Sequence, residues 1–234
     1  VVDEFDVLDD HTKKAVAEFI KQLSDINSKL KVLLVGISKD GKSLTAGHES
    51  VNRCLHEVYL GGVDDKHLLE VISLGEIGLG LTFDKDIKTQ IVDISNGFPY
   101  FTHLLCKEAA EAALAGSVKV IDSSIFSKSI EKSVENAEGR LRREYEDAIR
   151  SAKTDVYRKI LYSASKFKNE EFGVKDWINQ IYQDTGVRYN NQSMSNYTGR
   201  LIKKDYGATI KRLSRGVYKF NDPRMPSFIR LANM

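Results

Sequence analysis

The sequence predicts a mostly α-helical protein with a short parallel α/β portion at its start and a three-helix-plus-hairpin portion at its end. Three observations carry this. Val16, Phe19, Ile20 and Leu23 recur at helical spacing between two short apolar stretches, Val1-Val2 and Lys31–Val35. From 61 to about 138 the apolar residues follow the helical period almost throughout. From 155 three helical segments give way to two β-prone runs around a glycine turn.

Taken in order, residues 12–30 form a helix, and Lys31-Val32-Leu33-Leu34-Val35 is a continuous apolar run of the kind found in buried parallel strands. Strand, helix and strand imply a right-handed crossover in a parallel sheet, which so few strands leave incomplete. Residues 48–57 read as helical and lead into Val58-Tyr59-Leu60 and the breaker Gly61-Gly62. Helices follow near 64–73, 84–95, 99–115 and 122–137, with Asp64-Asp65 and Asp122-Ser123 suited to N-terminal caps. Residues 139–153 (GRLRREYEDAIRSAK) carry both charge signs densely and are expected to form a solvated linking helix.

The last portion has a helix through Val156, Ile160, Leu161 and Ala164, a second at 174–183, and a third at about 192–204. Thr209–Leu213, the turn Ser214-Arg215-Gly216 and Val217–Phe220 then read as a hairpin. Three helices and a hairpin make a winged helix-turn-helix over 155–234.

Charge divides the chain in the same way. The 234 residues carry a formal net +2. Residues 155–234 hold 15 basic and 7 acidic residues, net +8, whereas residues 1–154 hold 20 and 26, net −6. That asymmetry suits a protein of which only the second part meets a polyanion. No apolar run approaches bilayer length and no secretory leader is evident. Cys54 and Cys106 are too few and unpatterned for a disulfide framework or zinc site, so a reduced, cytoplasmic protein without a membrane partner is expected.

The chemistry-bearing residues open with Val1-Val2-Asp3-Glu4-Phe5-Asp6. An apolar strand ending in Asp-Glu is the Walker B arrangement: Asp3 holds Mg²⁺, directly or through water, and Glu4 orients the attacking water. The bland alternative is a strand end with solvated acids. Taken in sequence order, VVDEFD, KVLLVGIS, HESVNRCLHEVYL, SNGFPYFTHLL and the basic tail ending YKFNDPRMPSFIRL resemble the AAA+/STAND superfamily of P-loop ATPases, near the archaeal and bacterial STAND ATPases and the related replication initiators.

The resemblance implies a remnant of a parallel α/β ATPase core at 1–60, a helical lid at 61–138, a linker helix at 139–154 and the winged helix at 155–234. It puts Ser38 at the sensor 1 position facing the γ-phosphate, and Arg53 near the arginine that can serve as a finger toward a neighbour's nucleotide. Gly97-Phe98-Pro99 resembles the lid's GxP element, making Gly97 and Pro99 nucleotide-binding candidates. Tyr100 follows where the initiator branch commonly has a sensor 2 arginine beside this glycine, which favours the STAND branch. ATP and Mg²⁺ are the implied cofactors of the intact parent, and a homo-oligomer through the ATPase core is an implied assembly.

Gly36–Ser43 also fits GxxxxGK[ST] literally. A phosphate-binding loop must open a helix, and Gly47 interrupts one here, so the sensor 1 loop is the preferred reading. The true loop is then expected upstream of Val1, and this chain by itself is expected to lack ATPase activity.

In the C-terminal portion, Met194, Tyr197 and Leu201 define the packed face of helix 192–204. Ser193, Asn196, Arg200 and Lys203 or Lys204 define the outward one. An outward face of this kind enters the major groove of double-stranded DNA, where Asn reads adenine and Arg reads guanine. Lys211, Arg212 and Arg215 on the wing suit phosphates or the minor groove. DNA binding under nucleotide control is the leading expectation. The alternatives are a STAND signalling scaffold whose winged helix clamps the nucleotide domain, and a winged-helix transcription regulator with a helical ligand domain.

Overall fold

Short polar side chains set where several helices begin. In the computed structural model, which describes residues 1–36, 51, 53–58, 60–151 and 154–234, Asp9 accepts a hydrogen bond from the Thr12 N–H at 2.9 Å and Asp64 from the His67 N–H at 2.9 Å. Asp122 accepts from the Ile125 N–H at 3.0 Å, and Asn190 from the Ser193 N–H at 2.8 Å. Each side chain satisfies an amide that the helix itself leaves unpaired. The chain divides into two units, Val1–Leu60 and Gly61–Met234.

In the first unit, Val2 pairs in parallel with Leu34. The Val2 N–H donates to the Leu33 carbonyl at 2.8 Å, and the Val35 and Phe5 N–H groups donate across the same junction at 2.9 Å each. Helix α1 (Asp10–Asp25) lies between the two paired segments in sequence, as the strand–helix–strand reading expects. It stops five residues earlier than expected because Asn27 takes a left-handed backbone (φ 50°) and the Ser28 N–H closes back on the Leu23 carbonyl at 2.9 Å. Ala17, Ile20 and Val51 are buried, with Val16, Val32, Leu34, Cys54 and Leu55 packed on them.

The run 31–35 is not the buried strand its composition suggests. Val32 and Leu34 face the small core, while Leu33 is 58% exposed and Val35 39%. Alternating side chains leave one face of such a segment uncovered when only one layer packs on it.

The second unit runs α2 (Asp65–Leu79), β1 (Thr82–Phe83), α3 (Lys85–Ser95), α4 (Pro99–Ala115), β2 (Val120–Ile121), α5 (Ser123–Asn136) and α6 (Gly139–Ile149). It continues through α7 (Val156–Ser165), β3 (Glu171–Gly173), α8 (Val174–Thr185), α9 (Asn191–Leu201), β4 (Ile210–Ser214), β5 (Val217–Phe220) and α10 (Met225–Leu231). β1 and β2 form a two-residue parallel pair, Thr82 opposite Val120 and Phe83 opposite Ile121. β5 lies between β3 and β4, antiparallel to both, with Lys219 opposite Glu171 and Phe220 opposite Ile210.

Three features depart from the sequence expectation. β1, β2 and β3 are two or three residues long, too short to display a period. α6 is not a solvated connector: Leu141, Tyr145 and Ala148, at i, i+4 and i+7, are fully or almost fully buried. Its charges occupy the other face and mask the stripe. The third is α10, whose Met225, Pro226, Phe228, Ile229 and Leu231 are all buried.

α10 joins the two ends of this unit. Phe228 meets the Tyr145 ring of α6 edge-on at 5.7 Å, Ser227 Oγ donates to the Ser95 carbonyl of α3 at 2.9 Å, and Arg230 donates to the Ser165 carbonyl of α7 and the Asp93 carbonyl of α3. A single cluster of buried side chains therefore runs from Leu68 to Leu231. Gly207 seals the arrangement. Its φ is +74°, and a Cβ there would sit 2.1 Å from the Glu144 carbonyl oxygen of α6, so two backbones cross at a spacing that only glycine allows.

An ion network sits beside the crossing. Arg224 bridges Asp222 at 2.9 Å and Glu138 at 2.5 Å, and Arg140 also holds Asp222 at 2.5 Å. Burial alone would raise the Asp222 carboxyl, but the Arg224 hydrogen bonds and the Arg224 and Arg140 charges outweigh it and hold it below the ordinary range. A carboxyl depressed in the folded state contributes stability above its unfolded value of about 4, and that contribution is lost as pH falls through the folded value. Urea unfolding followed across pH should therefore show stability falling below about pH 4, with a shallower fall in Asp222→Asn.

Candidate nucleotide and nucleic-acid sites

Asp3 and Glu4 lie where the Val2 segment ends beside 33–35. Both side chains are exposed. Asp3 Oδ1 accepts the Glu4 N–H at 2.8 Å, Glu4 takes a left-handed backbone (φ 52°, ψ 36°), and the buried Phe5 anchors the turn that follows. The two carboxylates thus follow directly on the parallel Val2–Leu34 bridge.

Ser38 and the whole stretch from Ile37 to Ser50, including the lysine of Gly36–Ser43, lie outside the described residues. Arg53 is exposed and faces Asp25 at 3.9 Å, a surface ion pair of small energetic weight. No cluster of three or more His, Cys, Asp or Glu able to enclose a metal exists among the described residues.

Gly97 and Pro99 stand at a backbone junction. Gly97 has φ +84° and packs against Gly62, where a Cβ would approach the Gly62 Cα to 3.0 Å. Its carbonyl accepts the Val63 N–H at 2.7 Å. Pro99 is the first residue of α4, where its missing N–H costs nothing. Tyr100 accepts the Glu138 N–H at 2.9 Å through its hydroxyl, tying α4 to the start of α6. The element therefore positions the entry into the second unit. Cys106 is half-buried, and burial pushes its thiol up to about 12, which leaves it protonated and unreactive.

In the C-terminal portion, Met194, Thr198 and Leu201 form the buried face of α9. Tyr197 is half-buried and meets Tyr157 and Tyr189 edge-on at 5.6 and 5.4 Å. Asn196 and Lys203 are exposed, as the helical spacing expects. Arg212 and Arg215 are exposed on the β4–β5 hairpin, Arg212 with its Nε 3.2 Å from the Ser214 carbonyl, and Lys211 is half-buried on β4.

Arg200 is placed differently from the outward position the helix face suggested. Its guanidinium lies over the Tyr157 ring at 4.0 Å and the Tyr206 ring at 4.1 Å, and one terminal nitrogen donates to the Arg150 carbonyl. Its Nε is buried without a hydrogen-bond partner among the described residues. Two flanking aromatics, Tyr157 from the distant α7 and Tyr206 from the turn just after α9, capture the cation, and helical spacing within α9 alone carries no sign of them.

No protein-family model matches this sequence, and no curated protein matches it. Among solved structures it is similar to the Thermotoga maritima RuvB Holliday junction branch migration motor, at 18% identity and a TM-score of 0.47, over 94% of this chain. It is also similar to Cdc6p from Pyrobaculum aerophilum, at 12% identity and a TM-score of 0.41, over 99% of this chain. The chain spans 65% of the length of each.

The Arg200 sandwich makes a direct prediction. Arg200→Ala should lower stability toward urea by about 1–3 kcal/mol, through lost cation–π contact and packing. Arg200→Lys should recover only part of it, because an ammonium cannot stack as a flat guanidinium does between two rings.

Proposed function

We propose that residues 155–234 are a winged helix-turn-helix that binds double-stranded DNA, within an AAA+/STAND-type P-loop ATPase of which 1–60 supply part of the core and 61–138 the lid. The observation that carries the DNA reading is the set of cations left without acidic partners among the described residues: Lys203 just past the end of α9, and Arg212 and Arg215 on the hairpin. Asn196 lies exposed on the same helix. The chain order helix–strand–helix–helix–hairpin, with β3 completing the sheet on β5, supports the winged-helix assignment. Arg200 serves as a pillar in this reading, so base contact falls to Asn196 and phosphate contact to Lys203, Lys211, Arg212 and Arg215.

For the nucleotide, the reading rests on Asp3 and Glu4 at a strand end. Asp3 would hold Mg²⁺, which supplies charge neutralisation at the phosphates, and Glu4 would orient the attacking water. Ser38 as the sensor, Arg53 as a finger toward a second copy, and Gly97 and Pro99 as the lid element complete the proposal. The core continuous from Leu68 to Leu231 supports one refinement: a nucleotide-driven motion would carry 155–234 together with 61–150, not swing it on a hinge near 150. The same continuity favours the scaffold alternative, in which the C-terminal portion binds no DNA.

Salt-dependent binding of the whole chain to a labelled duplex separates the two readings. About four phosphate contacts give a log–log salt slope of roughly −3 to −4. Arg215→Ala should weaken all sequences alike and flatten that slope by about one, while Asn196→Ala should cost about 1–3 kcal/mol at a preferred site only. Absence of binding even at low salt would favour the scaffold.

A further inference from the structure

Outside the proposed recognition helix and wing, one place gathers uncompensated positive charge. Arg143 on α6 and Lys204 in the turn after α9 line an open cleft of about 410 Å³, together with Arg140, Glu144, Asp147 and the backbone of Gly207 and Ala208. The cleft exists because Gly207 brings that turn onto the Glu144 backbone, and its two walls are fixed relative to each other by that crossing.

The acids of the lining already have partners. Glu144 faces Arg140 at 4.0 Å, Asp147 faces Arg150 at 3.3 Å, and Arg140 is itself drawn toward Asp222. Burial raises the Glu144 carboxyl above its ordinary value, against the pull of the Arg140 charge. Arg143 and Lys204 make no ion pair or side-chain hydrogen bond among the described residues. One exposed cation therefore stands on each wall, without an ion pair among the described residues. Lys203, exposed and also unpaired, precedes Lys204 and extends the basic surface toward α9.

We propose that this cleft receives a backbone phosphate of duplex DNA, so that α6 lies on the path of the same duplex that 155–234 engages. This rests on the DNA reading above and extends it to a helix outside the winged-helix portion. A planar guanidinium opposite an ammonium suits a phosphodiester, which offers two charged oxygens and needs no base identity. Because the walls are already fixed, little ordering is required when the phosphate arrives.

The test uses the whole chain and a labelled duplex, with anisotropy titrations across a range of salt. Arg143→Ala and Lys204→Ala should each weaken binding about five- to tenfold near 0.1 M salt and reduce the salt slope by about one, for every duplex sequence alike. Arg143→Lys should retain most of the affinity, and the unfolding midpoints should stay at the wild-type value, since neither side chain is used by the fold. Unchanged affinity and slope in both alanine variants, with Arg212→Ala still weakening binding, would overturn the cleft and leave the DNA reading standing. No binding by the wild-type chain would overturn both.

Discussion

The second unit depends on a backbone crossing, at which Gly207 lies against the carbonyl of Glu144, and on α10, which closes over the same region. The crossing brings the turn after α9 onto α6. α10 then places Phe228 on Tyr145, Ser227 on the Ser95 carbonyl and Arg230 on two further carbonyls. Burying an apolar side chain contributes about 1.5–3 kcal/mol, and five such residues of α10 face the core, so separating the portions on either side would expose all of them together. Together with the Arg224–Asp222–Glu138 network, these contacts tie 155–234 to 61–150 across a shared core.

Function follows from what this packing uses and what it leaves over. Arg200, Arg224 and Arg230 are consumed by the fold, stacked between tyrosines, paired with acids or donating to carbonyls. Lys203, Lys204, Arg143 and Arg215 are not. A cation that makes no ion pair or side-chain hydrogen bond among the described residues raises the local potential instead, which is what the proposed DNA reading draws on. Net charge alone could not make this distinction, since Arg200 and Arg215 count equally toward the +8 of residues 155–234.

Much of the architecture is legible in the sequence because it is written locally. The Asp64 and Asp122 caps, the proline opening α4 and the Ser214–Gly216 turn each act within a few residues, and the element each announces begins where expected. What escaped was written at long range. α10 is short and carries Pro226 in its first turn, and its stripe is recognisable only once Tyr145 and Ser95 are brought beside it. The buried face of α6 is three residues among a dense field of charge. Arg200 looked outward because helical spacing reports only its own helix, whereas Tyr157 comes from a distant helix and Tyr206 from the turn that follows. The first unit is the opposite case. Its carboxylates are plain in the sequence, but Ser38, the proposed sensor, lies outside the described residues.

The most direct test of the account is hydrogen–deuterium exchange of the whole chain with and without duplex DNA. The account predicts slowed exchange at the C-terminal end of α9 and the turn after it, in the β4–β5 hairpin and in α6. α10 should stay protected to the same degree in both states, because it is already buried. Exchange unchanged throughout 155–234, or protection confined to residues 1–60, would contradict the claim that this portion is the DNA-binding surface.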